Sequence, residues 1–213
     1  MSEKIKVNKS LIYFSLVNKD CDYNNFIYFT KYYQFVTNGK ILLLIRQDNH
    51  ELISDIAINA EMLSFALIGR KLEFEFNRLN SKSTSEYIMI GRFKDFQDVV
   101  YRYDLITKNK VLNLKNVIEN DFKFLFTYNI CNLLDYQFTN IILLDNILYL
   151  YDKENNQYVF EDKINTSIDN IDIEFNSEIL NHLFRDNAFF YFDYEKNISK
   201  IVQEKDDIEL YVA

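Results

Sequence analysis

The sequence predicts an α+β fold built from two tandem copies of one mostly antiparallel unit with two helices. The first observation is a strand–helix–strand pattern late in the chain. Ile171, Ile173 and Phe175 alternate, and Asn176 is placed to cap a helix, with Glu178 suited to its positive end. Ile179, Leu180, Leu183 and Phe184 then fall on one helical face. After Arg185-Asp186-Asn187 the period switches, with Phe190, Phe192 and Tyr194 alternating as in a strand. The second observation is an earlier copy about half a chain away. Ile56 and Ile58 alternate, Asn59-Ala60-Glu61 opens a helix carrying Met62, Leu63, Ala66 and Leu67, and Gly69-Arg70-Lys71 turns into Leu72, Phe74 and Phe76. The third is a tight hairpin signal in each half, Asn38-Gly39 and Asp145-Asn146, residue pairs that tolerate positive φ.

Lys4–Val7 reads as an opening strand. Ser10–Val17 is an apolar run whose periodicity fits either a buried helix or a strand. Phe26–Phe35 is aromatic and extended, and Ile41–Ile45 is a buried strand after the Asn38-Gly39 turn. Leu52–Ile58 leads into the first copy of the pattern. Asn77–Ser85 is polar and reads as a loop, Tyr87–Phe93 as a strand, and Asp98–Leu105 as the last strand of the first half. Thr107-Lys108-Asn109-Lys110 has linker chemistry, which sets one unit in residues 1–107 and the other in 108–213. The second half starts with a strand near Val111–Ile118 and a helix over Asp121–Leu134, capped by Asn120 or Asp121. Phe138–Leu143 and Ile147–Tyr151 flank the Asp145-Asn146 turn, and Asp152–Asp162 is a polar excursion. The second copy of the pattern, Ile198–Val202 and the alternating Ile208, Leu210 and Val212 complete the chain.

Composition narrows the function classes. The 213 residues are 48% hydrophobic, with 19 Phe and 16 Tyr, enough to pack two cores. No window nears the roughly 20 uninterrupted apolar residues of a membrane span, and the first ten residues lack the layout of a secretory signal. Two cysteines, Cys21 and Cys131, imply no disulfide framework and read as small buried hydrophobes in a reduced, cytoplasmic protein. With no Pro and three Gly beside abundant Asn, Ile, Lys, Phe and Tyr, the usage resembles the codon bias of an AT-rich genome. The net charge of −8 argues against a general nucleic-acid coat. Residues 1–106 carry 14 Lys+Arg against 13 Asp+Glu, and residues 107–213 carry 10 against 19. An acidic protein can still hold a polyanion where its cations gather on one surface.

No catalytic constellation is present in the sequence. None of the three glycines opens a phosphate-binding loop. His182 occupies the position of Phe65 in the earlier copy, which fits a helix surface or core better than catalysis, and His50 sits in a polar turn. Neither cysteine has a partner at metal-ligand spacing, and the carboxylate pairs Asp152/Glu154, Glu161/Asp162 and Asp206/Asp207 read as solvated loops. Tyr101, Tyr103, Phe122 and Phe124 have the chemistry to stack on bases, though their spacing fits core packing better. No enzyme, metal or cofactor is expected.

Several segments resemble the DNA sliding clamps. Val117–Ile130 resembles the opening of a clamp domain, and Asn140–Asp152 is similar to its following hairpin. Ile171–Phe184 with Ala188–Tyr194 looks like the clamp strand–helix–strand, and Asp206–Ala213 resembles a closing strand. Asp55–Ile68 and Lys71–Phe76 are the first-half counterparts. The length resembles the phage-type clamps and the proliferating cell nuclear antigen, with two domains per chain, rather than bacterial clamps with three. The absence of Pro and the weak amphipathicity of Ser10–Val17 depart from the pattern.

The resemblance implies a homotrimeric ring around duplex DNA, helices lining the hole and sheets facing outward. It implies a polymerase processivity factor that binds polymerase and clamp loader through short peptide tails. Cations on or beside the predicted helices would meet phosphate: Lys9, Lys19, Arg70, Lys71, Lys115, Lys123 and Arg185. Each taken singly also reads as an ordinary solvated side chain. The peptide cleft would lie by the connector, with Val100, Tyr101, Tyr103 and Leu105 as apolar contacts, residues that also read as one face of a strand. Two other classes stay open: a clamp-like accessory factor of viral replication or late transcription that forms no ring, and an unrelated structural or interaction protein of a virus.

Overall fold

A computed structural model describes residues 2–17, 26–37, 41–48, 56–60, 73–80, 85–89, 100–102, 121–166, 170–174, 177–204 and 207–212. The chain separates into two compact units, Met1–Glu119 and Asn120–Ala213. The boundary expected at 107/108 lies among residues 103–120, outside those described. Among the described residues no helix is long and apolar enough to cross a membrane.

In the first unit β1 (Ser2–Lys6) leads into α1 (Lys9–Val17). The ambiguous apolar run is therefore a helix, buried at Leu11, Ile12, Phe14 and Ser15 and packed on β2 (Phe26–Phe29) and β3 (Tyr33–Thr37). A run buried nearly all round has no polar stripe to reveal its period. The single extended stretch expected over Phe26–Phe35 is instead a hairpin. Its turn is set by Thr30, whose Oγ1 accepts from the Tyr33 amide at 2.9 Å while the Thr30 amide donates to the Tyr33 carbonyl at 2.8 Å. Tyr28 and Phe35, paired in register, stack with centroids 4.9 Å apart.

Next come β4 (Ile41–Arg46), β5 (Ile56–Asn59), β6 (Glu73–Asn80), β7 (Ser85–Met89) and β8 (Val100–Arg102). The expected loop at Asn77–Ser85 is corrected: β6 runs through Asn80 and β7 begins at Ser85, paired antiparallel. The Asn38-Gly39 turn and the helix expected after Asn59 lie outside the described residues beyond Ala60, which is helical. Among the described residues of this unit the pairings are antiparallel, with β1, β6 and β7 in one order and β8, β5, β2, β3 and β4 in another.

The second unit opens with β9 (Lys123–Asn129), followed by a 3-10 helix at Ile130–Leu133. The helix expected over Asp121–Leu134 is thus mostly strand. β9 pairs with β14 (Asn187–Asp193), with a bulge between Phe190 and Tyr191; the in-register pair Phe126 and Phe190 stack with ring centroids 4.6 Å apart. The cap is Asn129, whose Oδ1 accepts from the Cys131 amide at 3.0 Å. β10 (Asn140–Leu144) and β11 (Ile147–Asp152) form the expected hairpin, with Asp145 and Asn146 at φ 51° and 64°. The polar excursion at Asp152–Asp162 contains an unforeseen strand, β12 (Gln157–Lys163), paired to β11. As the edge of its sheet it carries exposed side chains at both ends and needs no apolar alternation.

β13 (Ile171–Glu174), α2 (Ser177–Leu183), β15 (Ile198–Gln203) and β16 (Ile208–Val212) complete the unit. The helical face expected of Ile179, Leu180, Leu183 and Phe184 is buried at all four positions, as are Phe190 and Phe192. Tyr194 leaves the alternation: it lies in the turn after β14, and is exposed. The expected cap, Asn176, is outside the described residues.

The duplication holds at the level of pairing. β1–β6–β7 in the first unit corresponds to β9–β14–β15 in the second, and β4–β3–β2–β5 corresponds to β12–β11–β10–β13. They differ at the end, where β8 pairs with β5 but β16 pairs with β15.

Candidate nucleic-acid interface

Lys9 is fixed by the start of α1. The Asn8 Oδ1 accepts from the Ser10 amide at 2.9 Å and the Asn8 carbonyl from the Leu11 amide at 3.2 Å, so Asn8 caps the helix. The Asn8 amide donates to Gln34 Oε1 at 3.2 Å, and the buried Gln34 donates through Nε2 to Gln47 Oε1 at 2.7 Å. This ties the helix start to β3 and leaves Lys9 exposed in the first turn. Lys19, Arg70, Lys71 and Lys115 lie outside the described residues.

In the second unit the 3-10 helix and α2 form one layer. The Ile130 amide donates to the Asp186 carbonyl at 3.2 Å, Asn181 Nδ2 to the Leu134 carbonyl at 3.3 Å, and the Cys131 thiol to the Arg185 carbonyl at 2.9 Å. α2 is anchored at its start, where the Ser177 amide donates to the Phe138 carbonyl at 3.1 Å and the Phe138 amide to Ser177 Oγ at 3.3 Å. Ile130, Leu133, Ile179, Leu180, Leu183 and Phe184 are buried beneath it. The exposed side is left to Cys131, Asn132, Asp135, Glu178, His182, Arg185 and Asp186. Cys131 is therefore not the buried hydrophobe expected: it is exposed in the first turn of the short 3-10 helix. His182 lies on the helix surface. Arg185 falls just past α2, on a face with three carboxylates that sequence reasoning did not assign there.

Lys123, expected beside a helix, opens β9 instead. It pairs with Phe192, whereas Asn129 at the other end of β9 pairs with Asn187, so Lys123 and Arg185 sit at opposite ends of the β9–β14 ladder. Seven residues of strand span about 20 Å. Lys123 Nζ lies 5.9 Å from the Tyr194 ring. Phe124, expected in the core, is 52% exposed and meets Tyr191 edge-on at 5.6 Å. Phe122 meets Tyr211 at 5.6 Å. Lys200, on the neighbouring strand, forms a 3.1 Å ion pair with the buried Glu209 and lies 5.3 Å from the Tyr211 ring. Its charge is already matched, which leaves it little to offer a phosphate.

Val100 and Tyr101 are in β8, opposite Ile58 and Ala57 of β5. Tyr103 and Leu105 are outside the described residues. Among the described residues no three His, Cys, Asp or Glu side chains gather as metal ligands do.

No protein-family model matches the chain, and no curated protein matches it in sequence. Solved structures match it in fold. The DNA polymerase III beta of Caulobacter crescentus superposes with a TM-score of 0.63 at 12% identity, covering 99% of this chain and 64% of that one. The DNA polymerase III subunit beta of Pseudomonas aeruginosa gives 0.60 at 14% identity over 100% and 65%. That of Borrelia burgdorferi gives 0.60 at 11% over 100% and 63%. The chain thus spans just under two thirds of these proteins' length, and it has the DNA sliding-clamp fold.

Proposed function

We propose that this chain is a DNA sliding clamp, a binding protein without catalytic chemistry that encircles duplex DNA and tethers a polymerase. The observation that carries the proposal is the repeated pairing scheme of the two units, set in a fold shared over the whole chain with DNA polymerase III beta subunits. A clamp must track phosphate without reading bases, which requires charge on a helical layer rather than a binding pocket. Rings of this kind close with six domains. Two per chain call for three chains, joined head to tail through sheet edges, and such heterologous contacts close only when the rotation fits. β12, long, exposed and at its sheet edge, offers the backbone groups for that pairing.

The test is solution mass together with retention on circular and linear DNA. A trimer retained in a salt-dependent way on closed circles, and lost from linear duplex, is the expected result. A monomer well above micromolar concentration that treats both DNAs alike would sink the ring and leave a clamp-fold accessory factor.

Polymerase and clamp loader would dock by peptide tails near β8, where Val100, Tyr101, Tyr103 and Leu105 are the candidate anchors. Tyr101→Ala and Tyr103→Ala are expected to abolish polymerase stimulation with Tm nearly unchanged, since a few aromatic anchors dominate such contacts. A fall of about 3–5 kcal/mol in stability for both would mark them as core instead.

A further inference from the structure

We infer that the helical layer of the second unit is an acidic sector that repels phosphate, so that the hold on DNA comes from the first unit. The inference rests on the clamp proposal, in which the helices face the duplex. Among the described residues, four full charges stand on this layer's exposed side: Asp135 after the 3-10 helix, Glu178 in the first turn of α2, and Arg185 and Asp186 after it. Three carboxylates against one guanidinium give this face a formal charge of −2 with His182 neutral. The hydrogen bonds from Ile130 to the Asp186 carbonyl, from Asn181 to the Leu134 carbonyl and from Cys131 to the Arg185 carbonyl join the segments that carry these charges.

The unit as a whole has the same sign. Asn120–Ala213 contains 7 Lys+Arg and 18 Asp+Glu, or −11, whereas Met1–Glu119 contains 17 and 14, or +3. Glu178 suits the positive end of its helix, whereas Asp135 and Asp186 lie outside the helices. A ring that alternates attraction with repulsion holds its duplex by fewer phosphates, so it slides more easily and releases at lower salt. Arg185, sharing its face with carboxylates, contributes less than Lys9 of the first unit.

The test is a gain of function. A variant combining Asp135→Lys, Glu178→Gln and Asp186→Asn, and Asp135→Lys alone as a second variant that leaves α2 untouched, are titrated with a closed circular duplex from 25 to 200 mM KCl, with Tm and solution mass measured alongside. The triple variant is expected to bind about tenfold more tightly at the low-salt end, with a log–log salt slope steeper by about one for each phosphate newly engaged. The single variant should move the same way by a smaller factor. If the wild type binds and assembles but neither variant binds more tightly, the acidic sector is overturned and the clamp proposal stands. If neither wild type nor variants associate with DNA, both fall.

Discussion

Six described residues other than glycine have positive φ: Asp145, Asn146, Asn156, Asn170, Asn197 and Asp207. All are Asn or Asp, the side chains that best tolerate the left-handed region. In a chain with three glycines they take over the turns, so its many asparagines carry more structural information than a compositional bias would leave them. Asn146 is the clearest case, because its φ of 64° sits in a two-residue hairpin that requires positive φ at both positions. Asn146→Gly is expected to leave the urea midpoint unchanged or raise it slightly. Asn146→Val should destabilise by about 1–2 kcal/mol, the strain of a β-branched residue in that region. Equal midpoints for the two would show that the turn relaxes to another type.

The two sheets of the second unit are linked at their edges by a hydrogen bond from the Tyr128 hydroxyl on β9 to Asp162 Oδ2 on β12 at 2.6 Å. Burial, then the bond and the carboxylate charge, push the phenol well above its ordinary value of 10.0. The native state thus keeps a proton that the unfolded chain gives up. This contribution is fully present below pH 10 and is lost as pH rises further. Wild type should lose stability between about pH 9.5 and 11 more steeply than Tyr128→Phe, which also lacks about 1 kcal/mol at pH 7; parallel pH profiles by urea denaturation would count against the link. Neither the bond nor β12 was legible in the sequence, because an edge strand exposed at Gln157, Tyr158 and Glu161–Lys163 shows no apolar period. β9 escapes a sequence reading for another reason. Its pairing with β14 overrides a run of apolar residues that fits helix and strand alike. What the sequence did show were elements with one buried face and a clear start: α2, β14 and the Asp145-Asn146 hairpin. The charged face was legible only as a sign. The imbalance of the second half is plain in the composition, but which carboxylates share a surface depends on hydrogen bonds between segments some 50 residues apart, such as Cys131 to Arg185.

DNA affinity is expected to respond unequally to charge reversal. Lys9→Glu, in the first turn of α1, should weaken association and flatten the salt slope by about 0.9, the increment for a single phosphate. Lys123→Glu should do less, because it opens β9 at the end away from the 3-10 helix. Equal effects in duplex titrations, with mass unchanged, would place both on the DNA-facing surface. The pairing scheme also bears on how the chain is made. Ser2 pairs with Asn77 and Lys123 with Phe192, so the opening strand of each unit meets its partner about 70 residues later. At 5–20 residues per second, a ribosome leaves each such strand unpartnered for roughly 4–14 s before β6 or β14 has been synthesised. During synthesis of the second unit, the waiting β9 is rich in aromatic residues while the first unit's equivalent strand pair can already be in place. The nascent chain is therefore most open to misassociation in that interval, and its vulnerable segment is Lys123–Asn129.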